Sequence, residues 1–147
     1  MNTNIEFIGR RRLVFVFASL LLLLCPLPVP ARAQETKPHA KVVKLDAGEK
    51  NYLPLLNGPP ESVTMKSGLV VLAPGKSVGK HTTGRHEEIL IVLAGAGTMK
   101  FSDSSSLPVE ANHALYCPPN TEHDVVNTGT TVLRYVYVVA SAPSAGN

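Results

Sequence analysis

The chain has 147 residues, 44% hydrophobic, 17% charged and 5% aromatic, with a formal charge of +3, two cysteines and no tryptophan. That length suits one domain. The basic excess is confined to the front: residues 34–147 carry ten Lys+Arg against ten Asp+Glu, a balance without the basic patch that nucleic-acid binding needs.

At the N-terminus, Arg10-Arg11-Arg12 precede an apolar run from Leu13 to Cys25, then Pro26, Pro28 and Pro30, then Ala31-Arg32-Ala33. A charged start, a short apolar core and small residues three and one before a cut describe a secretory signal peptide. The run falls short of the roughly 20 residues that span a bilayer, and the prolines remove helix hydrogen bonds where a membrane helix would continue. Cleavage is expected after Ala33, giving a secreted or periplasmic protein with no membrane attachment. Removing residues 1–33 leaves Cys117 as the single cysteine, so no internal disulfide is expected and Cys117 reads as a small buried hydrophobe.

Residues 34–61 read as an N-terminal arm, 62–139 as one β-barrel domain and 140–147 as a flexible tail. The expected strands are Val42–Leu45, Ser62–Leu72, Glu88–Leu93, Thr98–Phe101, Ala114–Cys117, Asp124–Asn127 and Val132–Val139, parted by turn clusters such as Asn57-Gly58-Pro59-Pro60 and Ala73-Pro74-Gly75. Short strands at regular spacing with no sustained helical period predict an all-β fold of six to eight strands, a barrel or jelly roll. In Ile89–Leu93 and Val132–Val139 both alternating faces are largely apolar, so the outer face needs a cover. Either the N-terminal segment or a second subunit could supply it. Residues 42–60 are short for covering two strands, which favours a homodimer with an isologous interface.

Three of the five histidines fall in two stretches, Gly75-Lys-Ser-Val-Gly-Lys-His81-Thr-Thr-Gly-Arg-His86-Glu-Glu88 and Pro118-Pro-Asn-Thr-Glu-His123. Gly75, His81, Glu88 and Gly95 match the spacing G-x5-H-x-H-x3–4-E-x6-G, and Pro118, His123 and Asn127 match G-x5-P-x-G-x2-H-x3-N. In these motifs the chain resembles the cupin family over about residues 62–139. The resemblance implies a small jelly-roll barrel whose members include metal-dependent dioxygenases, isomerases, epimerases and decarboxylases as well as non-catalytic binding proteins. Three positions depart from the pattern. Thr83 stands where the first motif has its second histidine, while Asn112 and Asn120 replace glycines of the second motif. Asn tolerates the left-handed turn conformations of glycine; a threonine hydroxyl is a poor ligand beside imidazole.

Two imidazoles and a carboxylate suit Fe(II), Mn, Ni or Zn and leave coordination positions open. The expected ligands are His81, Glu88 and His123. If the strand entering Glu88 begins at His86, the two residues share a face and His86 supplies a further imidazole; if residues 82–86 form a loop, its ring is in solvent. His39 and His113 are expected in solvent. By the same parity Leu90 and Val92 with Glu88, and Val125 and Asn127 with His123, line an apolar cavity for a small molecule, with Arg85 or Arg134 placed to reach its mouth. No Ser/His/Asp motif, phosphate loop or CxxC pair is present to support hydrolase, nucleotide or thiol-redox chemistry.

Overall fold

The computed structural model describes residues 37–142. The signal peptide expected at 1–33, with its expected cut after Ala33, and tail residues 143–147 lie outside the described residues. Among those described, all regular structure is antiparallel β, in nine strands: β1 (Tyr52–Asn57), β2 (Lys66–Leu72), β3 (His81–Thr82), β4 (His86–Ala94), β5 (Ala96–Phe101), β6 (Ser106–Glu110), β7 (Ala114–Cys117), β8 (Glu122–Val126) and β9 (Leu133–Ser141). They form a five-stranded sheet ordered β1-β2-β9-β4-β7 and a four-stranded sheet ordered β3-β8-β5-β6. The chain folds as the expected all-β jelly roll, and no helix among the described residues is long and apolar enough to cross a membrane.

The strand count exceeds the six to eight expected, for a physical reason. Pro54 interrupts β1 and Pro108 interrupts β6, and a proline within a run argues against a central strand because it cannot donate to the ladder. Both strands are sheet edges, the position where that loss is tolerated. β3, two residues long, is a third edge. In the other direction, Val42–Leu45 is not a strand: Val42 is fully exposed and the segment has no partner among the described strands.

The core lies between the inner faces of the two sheets. Strict alternation along β4 sends Glu88, Leu90 and Val92 inward, and along β9 Leu133 and Tyr135, where they meet Met99, Val109 and Val125 of the facing sheet. Cys117 joins this core with no exposure, its thiol 3.3 Å from the Met99 sulfur. Burial pushes that thiol up to about 11, so it stays protonated at neutral pH, as suits a packing residue.

Two turns show why the motif residues stand where they do. Gly95 has φ +80°, and a Cβ there would lie 2.4 Å from the Val132 carbonyl oxygen, a clash with rigid backbone. Asn112 and Asn120 adopt φ +66° and +57°, the left-handed conformations that asparagine accepts in place of glycine. Asn127, fully buried, is not in the wall of the cavity beside His81 and His123. Its Nδ2 donates to the carbonyls of Leu72 and Thr131, and its Oδ1 accepts from the Gly129 amide, tying β8 to the entries of the neighbouring turns. Asn127→Ala removes the partner of three backbone groups, one of them in a fully buried bond, so unfolding in urea is expected to show a loss of about 2 kcal/mol, with the slope unchanged.

Candidate metal centre

The end of the barrel that bears β3 and β8 carries the polar cluster. β3 pairs with β8 so that His81 is directly opposite His123, and their ring centroids are 4.4 Å apart. Glu88 reaches them from β4 of the other sheet, its Oε2 3.3 Å from His123 Nε2. One ligand atom from each of His81, Glu88 and His123 lies within 4.8 Å of the others. Donors bound at about 2.1 Å in a tetrahedral site lie about 3.4 Å apart, so side-chain adjustments on the order of an ångström would bring the three onto one ion. The donor chemistry, two imidazoles and one carboxylate, is that of a first-row divalent ion.

Backbone carbonyls fix the tautomers. The Nδ1–H of His81 donates to the Gly79 carbonyl at 2.9 Å, and the Nδ1–H of His123 to the Thr121 carbonyl at 3.3 Å. A carbonyl can only accept, so each Nδ1 carries a proton and each Nε2 is the atom left for a metal. His123 and Glu88 are buried while His81 sits on the exposed rim. The Glu88 carboxylate, by hydrogen bonding to His123, holds the imidazole pKa above its usual value against the opposing effect of burial.

His86 is not in this cluster. It opens β4 on an exposed position, and its Nδ1 faces the Thr83 carbonyl at 3.2 Å. Thr83 has a different task from the imidazole it replaces. Its buried hydroxyl donates to the Pro118 carbonyl and accepts from the Thr121 amide, both at 2.9 Å. That bridge clamps the loop before β4 to the loop before β8, the two segments that present the ligands.

The cluster forms part of the wall of a cavity of about 520 Å³. Val70, Val125, Val139 and Tyr135 give it an apolar lining, whereas Leu90 and Val92 are packed in the core beneath. Neither arginine considered from the sequence lines it: Arg134 lies on the outer face and donates to the Leu45 carbonyl at 3.0 Å, and Arg85 falls outside the lining. The cation in the wall is Lys66. Near it the Tyr52 and Tyr137 hydroxyls hydrogen-bond at 2.8 Å, their rings stacked with centroids 6.4 Å apart. Gly68 makes this possible, because a Cβ there would lie 2.6 Å from the Tyr52 ring. Burial, then the bond to Tyr52, pushes the Tyr137 phenol up, so it remains a donor at neutral pH. Parity along Lys66–Leu72 could have indicated Lys66; the tyrosine pair depends on β1, which the sequence pattern conceals.

A jelly roll with a His/Glu/His cluster at one end defines a small-barrel protein whose cluster could hold a metal ion. The cupin domain model matches residues 68–139, and the chain belongs to the cupin family. It is 31% identical over 85 residues to auxin-binding protein 1 of Arabidopsis thaliana, covering 51% of this chain and 41% of that protein. It is also 31% identical over 68 residues to an oxalate-binding protein of Thermotoga maritima, covering 46% and 55% respectively. The chain therefore spans about half the length of the curated relatives it matches. Among solved structures, a cupin 2 conserved barrel domain protein from Salinispora arenicola aligns with TM-score 0.55 and 27% identity over 76% of this chain and 92% of that one.

The placement of the four residues predicts distinct variant behaviour. His81→Ala and His123→Ala should each weaken zinc binding by tenfold or more, while His86→Ala leaves the dissociation constant unchanged. Competition titration against a chromogenic chelator measures all three.

Proposed function

We propose that this chain is an exported cupin that binds one divalent metal ion through His81, Glu88 and His123 and a small organic acid in the adjoining cavity. The observation that carries this reading is the convergence of three metal-competent donors on the wall of a cavity large enough for a small molecule. An ion held by three side chains keeps positions for ligand oxygen atoms, and it is a Lewis acid for whatever binds there. The oxalate-binding and auxin-binding relatives support an acid as the ligand class. Fe, Mn, Ni and Zn all suit the donor set. Elemental analysis of the purified protein, followed by calorimetric titration of the loaded protein with acetate and oxalate, tests the reading. About one metal per chain and metal-dependent acid binding are expected; absence of stoichiometric metal after incubation with all four ions would refute it.

A second reading, metal-dependent turnover as in dioxygenases or isomerases of the family, is favoured by the open positions around a three-donor ion. Apart from the three candidate ligands, the titratable groups in the cavity wall are Lys66 and three tyrosines, so proton transfer in such a reaction would fall to these or to a metal-bound water.

Export is proposed from the Arg10–Ala33 segment, which has the charged start, short apolar run and small residues of a signal peptide. Intact mass of the protein recovered from the secreted or periplasmic fraction should correspond to a chain starting at Gln34; retention of Leu13–Leu24 in that material would contradict cleavage.

The homodimer is proposed from the outer face of the five-stranded sheet. Ile89, Ile91, Leu93 and Tyr116 are 38–55% exposed there, on strands β4 and β7 that the segment before β1 leaves uncovered at these positions. Contiguous exposed apolar side chains mark an association surface, and a two-fold axis lets the patch cover itself. Ile91→Asp should convert a dimer to a monomer in analytical ultracentrifugation without altering the circular dichroism spectrum.

A further inference from the structure

The cross-strand register places a second polar anchor opposite the metal cluster. Glu88 pairs with Val139, and Val139 with Lys66, in one inward-facing row across β4, β9 and β2. Two strand spacings, about 10 Å, separate the Cα atoms of Glu88 and Lys66. Both side chains line the same cavity. Among the described residues Lys41, Lys44 and Lys80 each pair with a carboxylate, whereas Lys66 makes no ion pair, and Glu88 is the one carboxylate in the cavity wall. The Lys66 stem runs over the turn at Gly58, where a Cβ would lie 3.3 Å from its Cε.

The Tyr52–Tyr137 pair adds directionality. When two hydroxyls share one hydrogen bond, one O–H is spent on the partner and the other remains to donate. Both rings belong to the same inner face as Lys66: Tyr137 lies opposite Gly68, one row along, and Tyr52 opposite Val70, one row further. Between this corner and the cluster, the wall is Val70, Val139 and Tyr135, which suits methylenes or a ring.

Resting on the reading of the cavity as an acid site, we propose that the ligand is an elongated organic dianion. One anionic group meets the His81–Glu88–His123 cluster and the second meets the Lys66 ammonium and the free tyrosine O–H. The charges agree: a divalent ion, one carboxylate and one ammonium leave two positive charges for the ligand to balance. Val139 stands between the two anchors and the Lys66 stem turns toward Gly58 on the far side of the strand, a separation that favours a chain longer than oxalate.

The test compares acids of equal chain length on the zinc-loaded protein. Adipate should bind about tenfold more tightly than hexanoate, and Lys66→Met, which keeps the stem over Gly58, should abolish that difference while leaving hexanoate and zinc affinities unchanged. Tyr137→Phe should narrow the difference without abolishing it. Equal binding of adipate and hexanoate, or a preference that survives Lys66→Met, overturns the second anchor while acid binding at the cluster stands. If neither acid binds but zinc binding still depends on His81 and His123, the dianion proposal is refuted and the metal site survives.

Discussion

The alternation of side chains across two facing antiparallel sheets is the constraint on which the site depends. Because every second residue of a strand points inward, a run of inner positions is a single commitment, and β4 makes it twice over. Leu90 and Val92 go into the core, and Glu88, two residues earlier, must then go inward as well. A one-residue slip of β4 against β9 would expose Leu90 and bury Ile89 and Glu87 in its place. The core therefore enforces the register that delivers a carboxylate to the histidines.

Burying Glu88 and His123 opposes stability, since both lose water. The structure offsets this locally: the carboxylate faces the His123 ring at 3.3 Å, and the ring's other nitrogen is satisfied by the Thr121 carbonyl. Neither partner is left alone, and no buried side-chain nitrogen or oxygen among the described residues lacks a hydrogen bond. The clusters of apolar and polar inner residues are segregated along the barrel, so the cost of the polar end is borne by the packed end around Met99, Leu133 and Leu90.

The strands with β-branched or aliphatic alternation were legible in the sequence because one face of each demands burial; Ala114–Cys117, an edge strand with no proline, has the expected bounds. The clustering of His81, Glu88 and His123 was legible for the same reason, through motif spacing that encodes strand length and turn length together. What stayed hidden sits at the edges. β1 and β6 contain prolines, and β3 is too short to carry a pattern, so tertiary pairing rather than local sequence defines them. The Tyr52–Tyr137 contact inherits that opacity, because it joins residues 85 apart across a glycine on the intervening strand.

Thr83 shows how a departure from a motif can be conservative of structure while altering chemistry. An imidazole at position 83 would add a nitrogen donor to the cluster; the threonine instead spends both hydrogen-bonding functions of its hydroxyl on the Pro118–Thr121 loop. The loop so held contains Asn120, whose own amide donates to the Gly84 carbonyl at 2.7 Å, and the Thr83 amide donates to the Thr121 carbonyl at 3.1 Å, so four hydrogen bonds join the ligand-bearing segments beside the place where a fourth ligand would have joined them through metal. The positioning of His81 and His123 then depends less on the ion than it would in a four-ligand site, where the metal itself is the cross-link. On the proposed metal reading, fewer protein donors would also leave more of an ion's coordination sphere open, and a single carboxylate would leave its charge only half neutralised. Both effects would shift recognition from the protein's own side chains toward an oxygen-rich anion in the cavity.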